Sequence, residues 1–461
     1  MPHDVIRADV AVVGAGTAGA NAAYQLARQG RSVVLVEQRA LDAGGAQWHN
    51  GVLDRQFARA GLEPPVPPER IDGRRVMHLF GPTGARGVTV SGTPMVTADM
   101  TRLGRRLRDL AAGAGATLFE HATDLAVELR DGRITALDGR LTPVGSPARA
   151  ARIEAALFVD ASGRRGVLRR ESPALARWCP TVQRDELCSA ADFHLRIDDP
   201  DGAKRFLDRH DAGPGEHVTV VGTNGGFSTR AIAVGPDLDR VGVLVGCLAN
   251  GRYGTGPGML DQVRAREPWI GEPISGGFGV IPLRRPYARF TAPGLALVGD
   301  AACQVFPAHG SGIGVGLVAG RILAEAVGDA ADPGDEAALW RYQAAFQHEL
   351  GGTLAAYDGI RRMSTALGAG GVAAMVDAGL MDESMTRAGL DQVWAAPAAA
   401  QLAGMAARMA RRPGLAAAMV PRLVRSRLVA PMGRRHPATV DERALARWNR
   451  RVERLLGPLP S

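Results

Sequence analysis

Two glycine-rich segments almost three hundred residues apart carry the residue types best suited to chemistry. The first is VAVVGAGTAGANAAYQLARQGRSVVLVEQR at 10–39. Gly14, Gly16 and Gly19 have the spacing of a tight turn, a close approach to a diphosphate and a helix packed closely on a strand. The unalternating run Ala11–Val13 predicts a buried parallel strand, and Ala20–Gln29 a helix that Gly30 stops. The N-terminus of that helix offers N–H groups and a positive dipole end to an anion. Ser32–Val36 reads as the next strand, and Glu37 at its end is placed to accept from adenosine ribose hydroxyls, which favours an unphosphorylated ribose. This segment alone fits NAD or FAD; glycines also serve ordinary tight turns.

The second segment, GLALVGDAACQVFPAHGSGIGVGLVAGRILAEAV, decides between them. Leu295–Val298 reads as a buried strand ending in Gly299 and Asp300, a carboxylate placed to accept from the ribityl hydroxyls of a flavin while Gly299 lets the chain pass close by. Pro307 and Gly310 shape a turn, and Gly312, Gly314 and Gly316 either leave room for a planar ring or pack a helix tightly on its neighbour. A helix from about Ser311 directs N–H groups to the flavin edge where negative charge appears on reduction. FAD is therefore the expected cofactor, held by Gly14, Gly16, Gly19, Glu37, Gly299, Asp300, Gly310 and Gly312.

Two residues of this turn are candidates for proton chemistry. His309, between Pro307 and the helix opening, can donate to the reduced ring or relay a proton with an unshifted imidazole; capping the turn is its other reading. Cys303 can supply a thiol near the flavin or simply fill a buried position after Asp300.

The chain resembles the FAD-dependent oxidoreductases that include geranylgeranyl reductases, flavin-dependent halogenases, lycopene cyclases and aromatic-ring hydroxylases. The matching residues are GAGTAG at 14–19, Glu37, LFVDASGRRGVLRR at 157–170 and GDAACQVFPAHGSGIG at 299–314, over roughly residues 8–350. The last motif is most similar to the geranylgeranyl-reductase-like branch, and the resemblance implies that the Asp160 turn lies near the cofactor. Two departures stand out. Where many relatives place a diphosphate-binding arginine, this chain has Met100, with Arg102 and Arg106 as candidate substitutes. The tryptophan-flanked motif of tryptophan halogenases is absent from WIGEPISGGFGVIPLRRPY, and the chain's one lysine, Lys204, sits in a polar stretch. Some prenyl reductases also use an early cysteine, and the first cysteine here is Cys179.

The elements that must position these residues predict an α/β protein: a Rossmann-like FAD-binding lobe interleaved with a mainly antiparallel β-sheet substrate lobe, plus a C-terminal helical region. The FAD lobe is expected at 1–45, 97–170 and 290–334, the substrate lobe at 46–96 and 171–289, and the helical region at 335–461. HVTVVG, TRAIAV and VGVLVG at 217–246 read as a meander forming a cavity wall, with Trp48, His49, Phe278 and Ile281 as candidate wall residues or core.

A chain of 461 residues with 46% hydrophobic content supports more than one lobe. No membrane-spanning or signal-like segment is evident, so a cytoplasmic location is expected. Cys179, Cys188, Cys247 and Cys303 lack metal-ligand spacing, and no metal is expected. Residues 401–461 hold thirteen arginines against three acids, which suits a helical lid with a wet face, or contact with an anionic substrate, carrier or lipid headgroup. Without interleaved aromatics, no nucleic-acid partner is expected.

The expected activity is FAD-dependent reduction or dehydrogenation at a carbon centre of a hydrophobic small molecule that could carry an anionic group. An external electron donor or reductase and peripheral membrane contact complete the expected partners. The alternatives are an FAD-dependent monooxygenase, a halogenase of non-tryptophan type in a natural-product pathway, or a binding protein with structural FAD.

Overall fold

A computed structural model describes residues 4–71, 76–395 and 399–459. The nucleotide unit is β1 (Asp4–Val13), α1 (Thr17–Ala27) and β2 (Val33–Val36). Val10–Val13 and Val33–Val36 are all buried, as expected of parallel strands covered on both faces. β1 pairs in parallel with β2 on one side and with the strand Arg149–Asp160 on the other; Leu295–Leu297 extends the sheet beyond Phe158. Thr117–Arg130 joins β2 through its first residues, then turns into an antiparallel meander with Arg133–Pro143 and Arg149–Asp160. The sheet thus places Val13, Val36, Asp160 and Leu297 at one end, the end at which open α/β sheets bind ligands.

A second seven-stranded sheet runs in the order Ile270–Pro282, Leu187–Ile197, Arg240–Leu248, Ser228–Val234, His217–Val221, Val76–Phe80, Arg86–Ser91. All its pairings are antiparallel except that of His217–Val221 with Val76–Phe80. One face is closed by the helices Pro200–His210 and Gly256–Arg266, whose Phe206, Leu207, Leu260 and Val263 join Val241, Val243 and Val245 in a core of their own. A three-stranded sheet of His49–Leu53, Met95–Asp99 and Arg70–Ile71 lies between the lobes in sequence.

The C-terminal part is helical: Ile313–Val327, Glu336–Phe346, Gly352–Asp377, Glu383–Leu390, Ala399–Ala410, Pro413–Val429 and Glu442–Leu456. Asp335, Asp382 and Asp441 cap three of these by accepting backbone N–H bonds. Buried charges join this region to the sheet lobe. Asp358 pairs with Arg285 at 3.3 Å, and Arg362 pairs with Glu186 at 3.2 Å. Burial alone would raise the Asp358 carboxyl, but Arg362, Arg361 and Arg285 hold it well below the usual range.

Candidate active site

The three glycines of the first motif do different work. Gly14 has φ +108°, and a Cβ there would lie 2.3 Å from the Ala161 carbonyl oxygen and 2.9 Å from Ser162 N. One at Gly19 would lie 2.0 Å from Gly14 O and 2.8 Å from Ala161 Cβ. These two glycines let β1, α1 and the Asp160 turn close on one another. At Gly16 the nearest atom to an added Cβ is Gly45 Cα at 3.6 Å. Gly16 is also the N-cap of α1, with no side chain capping it. Open space beside an uncapped helix N-terminus fits a diphosphate.

Glu37 is 5% exposed, and its Oε2 accepts from Ala15 N at 2.9 Å while Oε1 accepts from Arg39 N at 3.2 Å. The carboxylate thereby fixes the glycine loop and keeps lone pairs for a ribose. Asp160 is fully buried and braces its own turn: Oδ1 accepts from Ser162 N at 3.0 Å, and Oδ2 from Leu168 N at 2.9 Å and Arg169 N at 2.8 Å. Arg169 is not a solvated surface residue; its Nη1 donates to Ala301 O at 2.8 Å and Tyr287 Oη at 3.0 Å.

At the helix Met100–Gly113, Met100 is buried and its N–H donates to Trp48 O at 3.0 Å. The candidate substitutes are engaged elsewhere: Arg102 with Asp99 at 3.3 Å, and Arg106 with both Glu69 oxygens at 2.8 Å. The cation that does reach the nucleotide loop is Arg108, which the sequence reading passes over. It is 3% exposed, with Nη1 3.4 Å from Ala15 O and Nη2 3.8 Å from Asp42. Burial lowers its pKa, opposed by Asp42 and more weakly by Glu37. Its sequence signal is Gly104, one turn earlier, where a Cβ would sit 3.0 Å from Arg108 Nη1.

In the second segment Gly299 has φ +69° and opens a 3₁₀ turn, Gly299–Ala302. Its N–H donates to Gln304 Oε1 at 2.7 Å, and Gln304 Nε2 donates to Tyr342 Oη at 2.9 Å, so a buried amide holds the strand end. Burial pushes the Asp300 carboxyl up to about 6, with Arg164 opposing, and no hydrogen-bond donor reaches it among the described residues. A partly covered acceptor without a donor fits the hydroxyl-binding role. Gly312 caps the helix Ile313–Val327, and a Cβ there would lie 3.4 Å from Asp300 Oδ1.

The glycines further along the helix are packing residues. Ala18 Cβ would lie 3.0 Å from a Cβ at Gly299 and 2.9 Å from one at Gly316, while Gly320 faces Ala22 N at 3.0 Å. Gly314 accommodates Gln56. Ala18 thus brings the two motifs together.

His309 lies on the intervening turn, exposed, tilted against Phe306 with ring centroids 4.7 Å apart, and Nε2 is 3.3 Å from Gly389 O. Desolvation by the surrounding protein lowers its pKa, opposed by the hydrogen bond to Gly389, so the ring is neutral at neutral pH, unlike the unshifted imidazole expected from sequence. Cys303 is fully buried in the main core at φ +56°, and burial raises its thiol pKa. Gly310, at φ +75°, faces Ile281 and Leu283. Trp48 lies against Gly277 and Gly279, where added Cβ atoms would be 2.9 and 3.1 Å from its ring. His49 meets His194 edge-on at 4.1 Å. Strand alternation turns Phe278 away from Trp48, and it is 69% exposed.

Residues 9–61 match the FAD dependent oxidoreductase family, the segment holding all of the first motif. The chain is also 27% identical over 353 residues to digeranylgeranylglycerophospholipid reductase 2 of Methanopyrus kandleri, covering 75% of this chain and 83% of that one. The chain is an FAD-dependent oxidoreductase. Within this superfamily it stands close to the geranylgeranyl-reductase-like branch. The flavoprotein's fold is similar to that of a geranylgeranyl bacteriochlorophyll reductase-like protein from Thermoplasma acidophilum, with TM-score 0.69 and 18% identity over 91% of this chain and all of the other. It is also similar to a flavin-dependent brominase, with TM-score 0.59 and 16% identity over 89% of this chain and all of the other. FAD is its cofactor, and the Gly14–Gly19 loop, Glu37 and the Gly299–Gly312 turn supply the space, acceptors and helix ends that fit it.

Proposed function

We propose that this oxidoreductase reduces, or in reverse dehydrogenates, a carbon–carbon bond of a hydrophobic substrate. The observation that carries the reading is the apolar wall opposite the Gly310 turn: Ile281 and Leu283 lie against Gly310, and Trp48 covers Gly277 and Gly279 on the same strand. An elongated apolar substrate would lie along it. Sequence similarity to a lipid reductase across most of both chains supports the same reading.

When bound, FAD supplies hydride transfer. This chain's own residues orient and enclose. Gly16 and the α1 N-terminus hold the diphosphate, Glu37 the adenosine ribose, Asp300 the ribityl chain, and Gly310 with Gly312 leave backbone beside the ring. Arg108 steadies the loop through Ala15. With the Nε2 proton assigned toward Gly389, neutral His309 keeps Nδ1 as an acceptor, which suits ordering a water molecule, and that water supplies the proton that must reach the second alkene carbon when hydride adds to the first. An external reductase or donor, an anionic group on the substrate and a cytoplasmic location belong to the same reading; among the described residues no helix is long and apolar enough to cross a membrane.

The test is to reduce the FAD-loaded protein anaerobically and divide the sample. Reoxidation by a prenyl alkene with formation of the saturated product is expected. Indifference to the alkene, with an oxygenated product after oxygen is admitted, would replace reduction by oxygen transfer.

A further inference from the structure

From residue 392 to residue 440 the chain has no Asp or Glu, and it has eight arginines: Arg408, Arg411, Arg412, Arg422, Arg425, Arg427, Arg434 and Arg435. The helix Pro413–Val429 lies in the middle of this stretch. Its inner face is packed: Met419 is 2% exposed, and Ser426 and Val429 are fully buried. Its outer face carries Val420, Val424 and Leu428, 42%, 50% and 53% exposed. Their spacing of four residues aligns them in one stripe along the helix. At about 100° per residue, Arg427 falls about 60° to one side of Val424 and Arg425 about 100° to the other.

An apolar stripe bordered by arginines on both flanks, with further exposed arginines before and after the helix, has the chemistry of a surface seated in lipid headgroups. We infer that this face docks the protein peripherally on a bilayer containing anionic lipid, with Val420, Val424 and Leu428 entering the headgroup boundary and Arg425 and Arg427 meeting phosphates. A second copy is a poor occupant, because two such faces would bring eight arginines against eight without a carboxylate. A nucleic acid would leave the apolar stripe against phosphates and sugars. The inference goes beyond the reaction and stands whichever substrate the flavin site takes.

The test is flotation of the full FAD-loaded chain with phosphatidylcholine vesicles and with vesicles that also contain phosphatidylglycerol, at low and high salt. Binding only to the acidic vesicles, weakened by salt, is expected. Arg425→Ser and Arg427→Ser should each weaken it about fivefold. The double variant Val424→Asp/Leu428→Asp should lose it at least tenfold, while Arg196→Ser in the sheet lobe leaves it unchanged. FAD content and melting temperature are measured on every variant, and the arginine variants carry the test if the double variant misfolds. Failure of the wild type to float, equal binding to both vesicle types, or unchanged binding by the arginine variants overturns the inference. So does concentration-dependent dimerisation that the Val424 and Leu428 substitutions abolish, or RNA capture in place of vesicle binding.

Discussion

The amide of Asn21 donates to the carbonyl oxygen of Leu317 across 2.7 Å, and both residues are fully buried. This bond fastens the nucleotide helix to the helix that follows the flavin turn, 296 residues later in the chain. Gln25 extends the tie: its Nε2 donates to Asn21 Oδ1 at 3.2 Å and Ala60 O at 2.8 Å, and its Oε1 accepts from Arg321 at 2.9 Å. Asn21→Leu should therefore cost about 1–3 kcal/mol, because it strips an acceptor from a buried amide as well as breaking the bond. The melting temperature of FAD-free protein measures this, and an unchanged value would show that the tie contributes nothing.

Gly14 and Gly16 should separate folding from cofactor binding. Gly14→Ala puts a side chain at φ +108° and 2.3 Å from backbone, so loss of folded protein is expected. Gly16 has φ −66° and ψ 174°, a conformation open to any residue. Gly16→Val should retain its circular dichroism and melt within roughly 1 kcal/mol of the parent, yet lose FAD affinity at least tenfold. Normal FAD occupancy in that variant would contradict the assigned diphosphate site.

Asp300 predicts a pH dependence. Its folded pKa of about 6 lies above the ordinary 3.8, so the FAD-free protein binds more protons than its unfolded chain between those values. The contribution to stability is full below about pH 4 and is lost as pH rises through about 6. Asp300→Asn removes that loss, so its melting temperature should gain on the parent's between about pH 4 and 7. Added FAD should stabilise the variant less than the parent, since the amide is a weaker acceptor for hydroxyls than the carboxylate. Parallel melting curves without FAD would remove Asp300 from this role.

His309→Ala should keep FAD, because the Gly14–Glu37 grip is untouched, and lose most product formation. Measuring FAD content, flavin reoxidation and product on one sample distinguishes the outcomes. Full turnover would leave His309 as a turn residue only; joint loss of fold and FAD would make it a packing residue beside Phe306 and Gly389.

Much of this site was legible in local sequence because its pieces are short and regular. The strand–turn–helix–strand order around Gly14 to Glu37, and the three strands at His217–Val221, Ser228–Val234 and Arg240–Leu248, emerge from apolar runs and turn residues. What escaped depends on contacts distant in sequence. Arg108 reads as one arginine in a basic helix until Gly104 and Ala15 are seen beside it. Gly316 reads equally as ring space or as close helix packing until Ala18 is seen to fill it. The imidazole of His309 reads as unshifted until desolvation by the surrounding protein lowers its pKa, with the Gly389 carbonyl opposing.

The most direct test of the central claim is single-turnover oxidation of the photoreduced, FAD-loaded protein by a geranylgeranyl-chain lipid in the absence of oxygen. Recovery of the oxidised-flavin spectrum in proportion to alkene reduced, and loss of that recovery in His309→Ala at equal FAD content, is the predicted result. Reduced flavin that stays reduced over the lipid, with product forming only once oxygen is supplied, would contradict the account.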